Sequence, residues 1–374
     1  MKKLVVLLLP MLLIVGLSAV DFDISGEFRT RAAMYNDMAE DNGGHIDSRM
    51  MLKLSAQLHR NLQLVYGVEV GDITWGGAGG GLGTDGVNIE TDELYLEHQT
   101  NFLNTKVRLG QQYWADHRSL VLDDTFSGIM FMMDDLGGLR AEFAYMKPAE
   151  RNPAVNDDYH VAMASLYMDD LNAGLQAFYG NDLRASGNAN FTVLPYIVLP
   201  AGPVELDATL FLDYQVNKGP ADEEIGFGTA IKATVGMDPL TIGGDLLYVG
   251  ENGLTNLLPY YQNGLYLFGW GKWHDGVTVA FPYPNGNKGL MSAVGFVDYQ
   301  LSPKTKLFGH AGYLTTFADN NPGIGIEFNA GAEIDVIPDL VKLAPFAALG
   351  LPGDALPGTA DMLYLLGTTV KVEF

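Results

Sequence analysis

The chain of 374 residues contains no cysteine. Disulfides, thiolate metal sites and c-type haem attachment are therefore excluded. Basic residues are scarce: 22 Lys and Arg stand against 45 Asp and Glu, giving a formal net charge of −23. Without a cationic surface to displace counterions from phosphates, nucleic acid is not an expected partner. Beyond Ala19 no uncharged apolar run approaches the roughly eighteen residues that a spanning helix needs. Linear catalytic signatures are missing too: there is no HExxH spacing, no Gly-x-Ser-x-Gly elbow and no phosphate loop. Acidic pairs such as Asp134-Asp135 and Asp169-Asp170 recur without a twelve-residue calcium loop, so they read as solvated loop charge. We expect no enzyme, no metal and no cofactor.

Met1–Ala19 has the layout of a cleaved secretory signal: Lys2 and Lys3, the apolar run Leu4–Leu17, then Ser18-Ala19. Removing it takes two lysines away, so the mature charge is −23 − 2 = −25. Residues 20–374 read as one domain. An exported chain without disulfides needs another source of stability, and a closed hydrogen-bonded barrel supplies one. The 45 glycines, 18 tyrosines and 18 phenylalanines suit strands, turns and interfacial aromatics.

Alternation of side chains predicts an all-β, up-and-down antiparallel transmembrane barrel of eighteen strands, from Phe22–Tyr35 to Met362–Phe374, with sixteen or twenty as alternatives. The stretch Glu251–Gly289 carries the ambiguity. Leu265–Trp270 is apolar, and Val277, Val279, Phe281 and Tyr283 alternate, but Pro282 and Pro284 oppose central pairing. Short connections such as Arg60-Asn61, Asp169-Asp170 and Pro338-Asp339 alternate with longer ones such as Asn36–His45, Gly76–Asn88 and Ala115–Thr125. Outer-membrane barrels show this asymmetry, with short periplasmic turns and long outer loops.

The same alternation assigns faces. Met50, Leu52, Leu54, Ala56 and Leu58 share one side of a strand, while Arg49, Met51, Lys53, Ser55 and Gln57 share the other. A Lys or Arg facing lipid at the midplane costs about 2–4 kcal/mol, so the polar side looks inward. Eighteen strands enclose a lumen too wide for wall side chains to fill. Arg29, Arg31, Arg49, Lys53, Lys106, Arg108 and Arg140 then form a basic stripe on the pore wall, with Glu27 and Glu142 interspersed. Two readings are open: a track for anionic groups, or electrostatic bracing of a polar interior. Tyr260, Tyr261, Trp270 and Trp273 are aromatics suited to sugar stacking or to interfacial anchoring.

The segment Val107–Gly128, VRLGQQYWADHRSLVLDDTFSG, resembles the alginate-export and related eighteen-stranded porins through Gly110, Gln112, Asp116, Arg118 and Leu120. Gln111 stands where that pattern has arginine, a departure that weakens the transfer of an alginate or uronate substrate. From the signal to Phe374 the chain resembles the Gram-negative outer-membrane porin superfamily. The resemblance implies a water-filled channel for passive diffusion of small hydrophilic or charged solutes. The alternative is a structural or surface-receptor barrel with an occluded lumen. It also implies a third loop folded into the lumen as a constriction, here with Asp116, His117, Arg118, Asp123 and Asp124, and an eyelet in which Arg118 faces carboxylates. Further implications are a terminal Phe374 read by the barrel-assembly machinery, surrounding outer-membrane lipid and lipopolysaccharide, and a homotrimer.

Overall fold

A computed structural model describes residues 20–36, 42–77, 80–81, 88–149, 158–183, 188–216, 224–254, 257–268, 289–317, 323–356 and 361–374. The expected signal Met1–Ala19, the alternating stretch Val277–Tyr283, and Trp270 and Trp273 lie outside them.

Eighteen strands form one closed antiparallel sheet. The first nine are β1 (Asp21–Asn36), β2 (Asn42–His59), β3 (Leu62–Thr74), β4 (Ile89–Gln99), β5 (Thr105–Ala115), β6 (Asp123–Met133), β7 (Arg140–Ala149), β8 (Tyr159–Met168) and β9 (Ala173–Asp182). The rest are β10 (Asn188–Ala201), β11 (Val204–Val216), β12 (Glu224–Met237), β13 (Leu240–Val249), β14 (Leu290–Ser302), β15 (Thr305–Thr315), β16 (Gly323–Ile337), β17 (Val341–Pro352) and β18 (Leu363–Glu373). Each strand pairs with its sequence neighbours, and β1 pairs with β18. Because β13 pairs directly with β14, from Leu240↔Tyr299 to Val249↔Leu290, the segment between them adds no stave. That settles eighteen rather than sixteen or twenty. Leu265–Phe268, a possible strand by its composition, is not one.

Connection lengths alternate as the sequence suggests, with one revision. The pairing of β1 with β2 runs to Asn36↔Asn42, so half of the expected loop Asn36–His45 is hairpin strand, and only residues 37–41 connect the strands. Side chains follow the predicted faces. On β11, Leu210 and Leu212 are exposed on the outer wall, whereas Thr209, Phe211 and Asp213 between them are buried inside. An exposed apolar outer wall of this kind is suited to contact with lipid.

The seam is closed by the last residue. Gly26 N–H donates to the Phe374 carbonyl at 2.8 Å, and Phe374 N–H returns to Gly26 O at 3.0 Å. On the inner side Lys371 pairs with Glu27 at 2.6 Å across the same seam. The Phe374 ring lies over Gly26, where an added Cβ would sit 2.7 Å from both the ring and the Met51 carbonyl oxygen. Gly26→Val should displace that ring and cost about 1–3 kcal/mol, as overpacking does. A lower temperature for converting the folded, fast-migrating electrophoretic form to the unfolded one is the expected result; an unchanged temperature would deny the ring a role in closure.

Candidate functional site

The third long connection leaves the wall at a pair of glycines. β4 pairs with β5 only between Leu94↔Gln111 and Gln99↔Lys106, and β6 pairs with β7 only from Gly128 to Met133. β5 and β6 nevertheless pair with each other up to Ala115↔Asp123. Residues 112–127 are thus a hairpin tip released from both flanking ladders. Gly110 and Gly128 face each other where it departs. A Cβ at Gly110 would lie 2.2 Å from the Leu94 carbonyl oxygen, and one at Gly128 would lie 2.1 Å from that of Tyr145. Gly110 also has φ +134°, which a side chain resists. Buried Gln112 directs its amide nitrogen at the carbonyls of both glycines, 3.5 Å away. The Gly-x-Gln pair of the sequence is therefore a bend and its brace.

Asp116 organises the tip. Its carboxylate accepts the backbone N–H groups of Arg118, Leu120, Val121 and Leu122 at 3.3, 2.9, 2.7 and 2.8 Å. Complete burial pushes its pKa up, and this fan of donors works against that rise. The tip then reaches the far wall. His117 donates its backbone N–H to Gln176 of β9 at 2.9 Å, and its ring stacks on Tyr196 of β10 at 3.8 Å. His117 Nε2 lies 2.8 Å from Asp207 of β11. Arg118 donates to Asp245 of β13 at 2.7 Å and lies 3.6 Å from Asp207.

A second segment, residues 257–268, folds in from the connection between β13 and β14 and docks on the tip. Leu257 N–H donates to Val121 O at 2.8 Å, Asp123 N–H to Leu258 O at 2.8 Å, and Tyr260 N–H to Ser119 O at 2.9 Å. Its far end is seated by Glu327 of β16, wholly buried, which accepts the N–H groups of Tyr266, Leu267 and Phe268 at 2.7, 2.8 and 2.9 Å. Leu265, Tyr266, Leu267 and Phe268 are buried, and the Tyr266 ring stacks on Phe346 of β17 at 4.1 Å. This apolar block fills the lumen beside β14–β17.

Among the described residues, a cavity of about 830 Å³ forms a lane beside β1–β4. Arg29, Arg31, Arg49 and Lys53 line it, together with eight acids: Glu27, Glu69, Asp72, Asp92, Glu93, Asp123, Asp124 and Glu373. The basic side chains are paired: Arg29 with Asp72 at 3.0 Å, Arg31 with Asp47 at 3.0 Å, Arg49 with Glu69 at 3.2 Å, and Lys53 with Glu93 at 2.5 Å. Asp92, Asp123 and Asp124 make no ion pair among the described residues. Asp123 accepts instead from the Tyr113 hydroxyl and from Ser119 Oγ.

The structure therefore divides the sequence-derived stripe. Arg29, Arg31, Arg49 and Lys53 border the lane, whereas Lys106, Arg108 and Arg140 do not. Arg108 is tied to Glu97 at 2.7 Å beside Tyr95, and Arg140 is held by Asp169 at 2.8 Å at a short turn. The constriction residues separate in the same way. Asp123 and Asp124 face the lane, while Asp116, His117 and Arg118 build the tip and its anchorage. Asp116 meets Arg118 through the backbone rather than through its guanidinium. Of the loop aromatics, Tyr260 lines the lane and Tyr261 is buried against Arg118. Asp207, Asp245 and Glu327 went unnoticed in the sequence. Their signal is an acid on the inner phase of a strand, as in Leu246-flanked Asp245.

No family model and no curated protein sequence matches the chain. Solved structures do match by shape. OpdK of Pseudomonas aeruginosa superposes with a TM-score of 0.61 at 13% identity, over 94% of this chain and 99% of that one. OccAB1 of Acinetobacter baumannii gives 0.65 at 10% identity, over 95% and 96%. OccK2 of Pseudomonas aeruginosa, solved with glucuronate, gives 0.63 at 10% identity, over 94% and 97%. By its closed eighteen-stranded wall and its full-length superposition on these barrels, the chain has the fold of the outer-membrane porins.

Proposed function

We propose that the protein is an outer-membrane porin, a channel for passive diffusion of small hydrophilic or charged solutes, without a catalytic role. The observation that carries this reading is the charged, open lane left between β1–β4 and the two inward segments. The same reading includes export by Met1–Ala19, insertion by the assembly machinery through Phe374, a surround of lipid and lipopolysaccharide, and a homotrimer. Segment 257–268 favours a second reading, an occluded receptor barrel, because it fills one side of the lumen. Planar-bilayer recording of the folded protein decides: steady single-channel steps support the channel, and their complete absence removes it.

The lane also has a sign. One neighbour by fold was solved with glucuronate and another, OpdK, with vanillate. Here eight acids meet four paired bases, which raises the local concentration of cations. We assign the lane a cation preference. Its basic wall opposite Asp123 and Asp124 supplies a transverse field that orients dipolar solutes. Asp92→Asn with Asp123→Asn and Asp124→Asn should move the reversal potential across a salt gradient towards anions. Arg29→Gln with Arg49→Gln should move it the other way. Identical reversal potentials in all three proteins would place the selective step elsewhere.

A further inference from the structure

Asp245 touches both inward segments at once. Its Oδ2 accepts Arg118 Nη2, from the hairpin tip, at 2.7 Å, and its Oδ1 accepts the hydroxyl of Tyr261, from segment 257–268. Arg118 Nη2 also donates to that hydroxyl at 3.0 Å, and its guanidinium sits 5.1 Å from the Tyr261 ring centre. Wall, first segment and second segment therefore meet in one closed cycle of three side chains. The wall is prepared to receive it. In register across β11, β12 and β13 stand Asp207, Lys232 and Asp245, an acid, a base and an acid. Arg118 lies against both acids, while Lys232 lies over the Phe296 ring at 5.3 Å.

We infer that Asp245 is a positioning residue that sets the aperture of the channel, by pinning both segments to a single carboxylate. This inference rests on the channel reading. The two segments share backbone bonds at Val121 and Ser119, so neither moves independently. The tip has further wall contacts through His117 and segment 257–268 has Glu327, and Asp245 is the wall residue that holds both segments at once. At 6% exposure the carboxylate is out of bulk water. Removing its charge leaves the Arg118 cation buried with only Asp207, 3.6 Å away, as its acid. A buried cation stripped of a close partner is a strong drive to move towards water. Drawn towards bulk water, the tip then swings out of the lumen and carries segment 257–268 with it, so the open cross-section grows.

The test uses the full chain reconstituted in planar bilayers and in liposomes. Asp245→Asn should raise single-channel conductance at least twofold and admit neutral oligosaccharides that the parent excludes in a swelling assay. Tyr261→Phe keeps the ring and lies off the wall, so it spares barrel assembly; it should give a smaller rise in the same direction. Asp245→Glu should restore a value near the parent. Parent-like conductance and size limit in both Asp245→Asn and Tyr261→Phe, with the parent conducting, would overturn the inference and leave the channel reading intact. Absence of current in the parent itself would overturn both.

Discussion

Glu327→Gln should loosen segment 257–268 and enlarge the current, although the substitution changes no shape. The carboxylate uses both oxygens as acceptors: Oε1 takes Tyr266 N–H at 2.7 Å and the Asn329 amide at 3.0 Å, and Oε2 takes Leu267 N–H at 2.8 Å and Phe268 N–H at 2.9 Å. A glutamine has one acceptor and one donor end. Whichever way it turns, two of these four donors face an NH2 group. A buried donor left without its acceptor costs about 1–3 kcal/mol, so the loss approaches what holds a single loop segment in place. The β16 ladder uses backbone groups and is unaffected, so the barrel should still assemble. Expected results are a larger and noisier single-channel current and new chymotryptic cleavage at Tyr266 or Phe268 from outside. A variant protected as well as the parent, with the parent's conductance, would show that packing on Phe346 suffices.

Gly128→Val and Gly110→Ala should have the other large effect, at the bend that sends residues 112–127 inward. Each added Cβ meets a carbonyl oxygen at close to 2 Å, 2.1 Å for Gly128 and 2.2 Å for Gly110. These obstacles are backbone atoms of β7 and β4, which the ladder holds. Relief requires either that the wall part or that the tip swing out. Overpacking costs about 1–3 kcal/mol. At Gly110 the conformation itself adds a further cost of about 1–3 kcal/mol. The two sites touch, so the double variant should not simply add. With the tip displaced, Arg118 leaves its contacts with Asp245 and Asp207 and becomes a site for trypsin. Cleavage after Arg118 in membrane-embedded variants, with protection in the parent, is the expected outcome. Equal protection in all forms would assign the inward course to the contacts of the tip alone.

Much of the wall was legible beforehand. Leu210 and Leu212 against Thr209 and Asp213 show the two-residue period, which survives in a barrel because one side meets lipid and the other a polar interior. Turn positions followed from Gly, Pro, Asn and Asp, although the loop expected at Asn36–His45 is partly hairpin strand. The resemblance carried by Gly110, Gln112, Asp116 and Arg118 pointed to the third connection, whose tip contacts β9, β10, β11 and β13. One further signal was present in the chain and was not used. The outer face of the β5–β6 hairpin changes from Val107, Leu109, Ile129 and Phe131 to Gln111, Tyr113, Thr125 and Ser127 on crossing the two glycines. A face that turns polar has ceased to look at lipid.

The site was less legible, for a physical reason. Periodicity tells which side of the wall a residue occupies, and it says nothing about what stands opposite. The basic stripe was identified by sign, yet each arginine found an acid: Arg31 took Asp47 from the neighbouring strand, and Arg29 took Asp72 from two strands away. With Asp92, Asp123 and Asp124 added, the lane has an acidic surplus, and neither sign nor pairing could be read from the basic residues alone.

Local chemistry thus determined the barrel: the alternation that divides lipid from lumen, the glycines that bend or seat a ring, and the strand ending at Phe374 that closes on Gly26. These depend on residues close in sequence or next in a ladder. Tertiary structure alone decided the interior. Arg118 and Asp245 are 127 positions apart and Glu327 lies 59 from Phe268, and only closure of the wall brings such groups face to face.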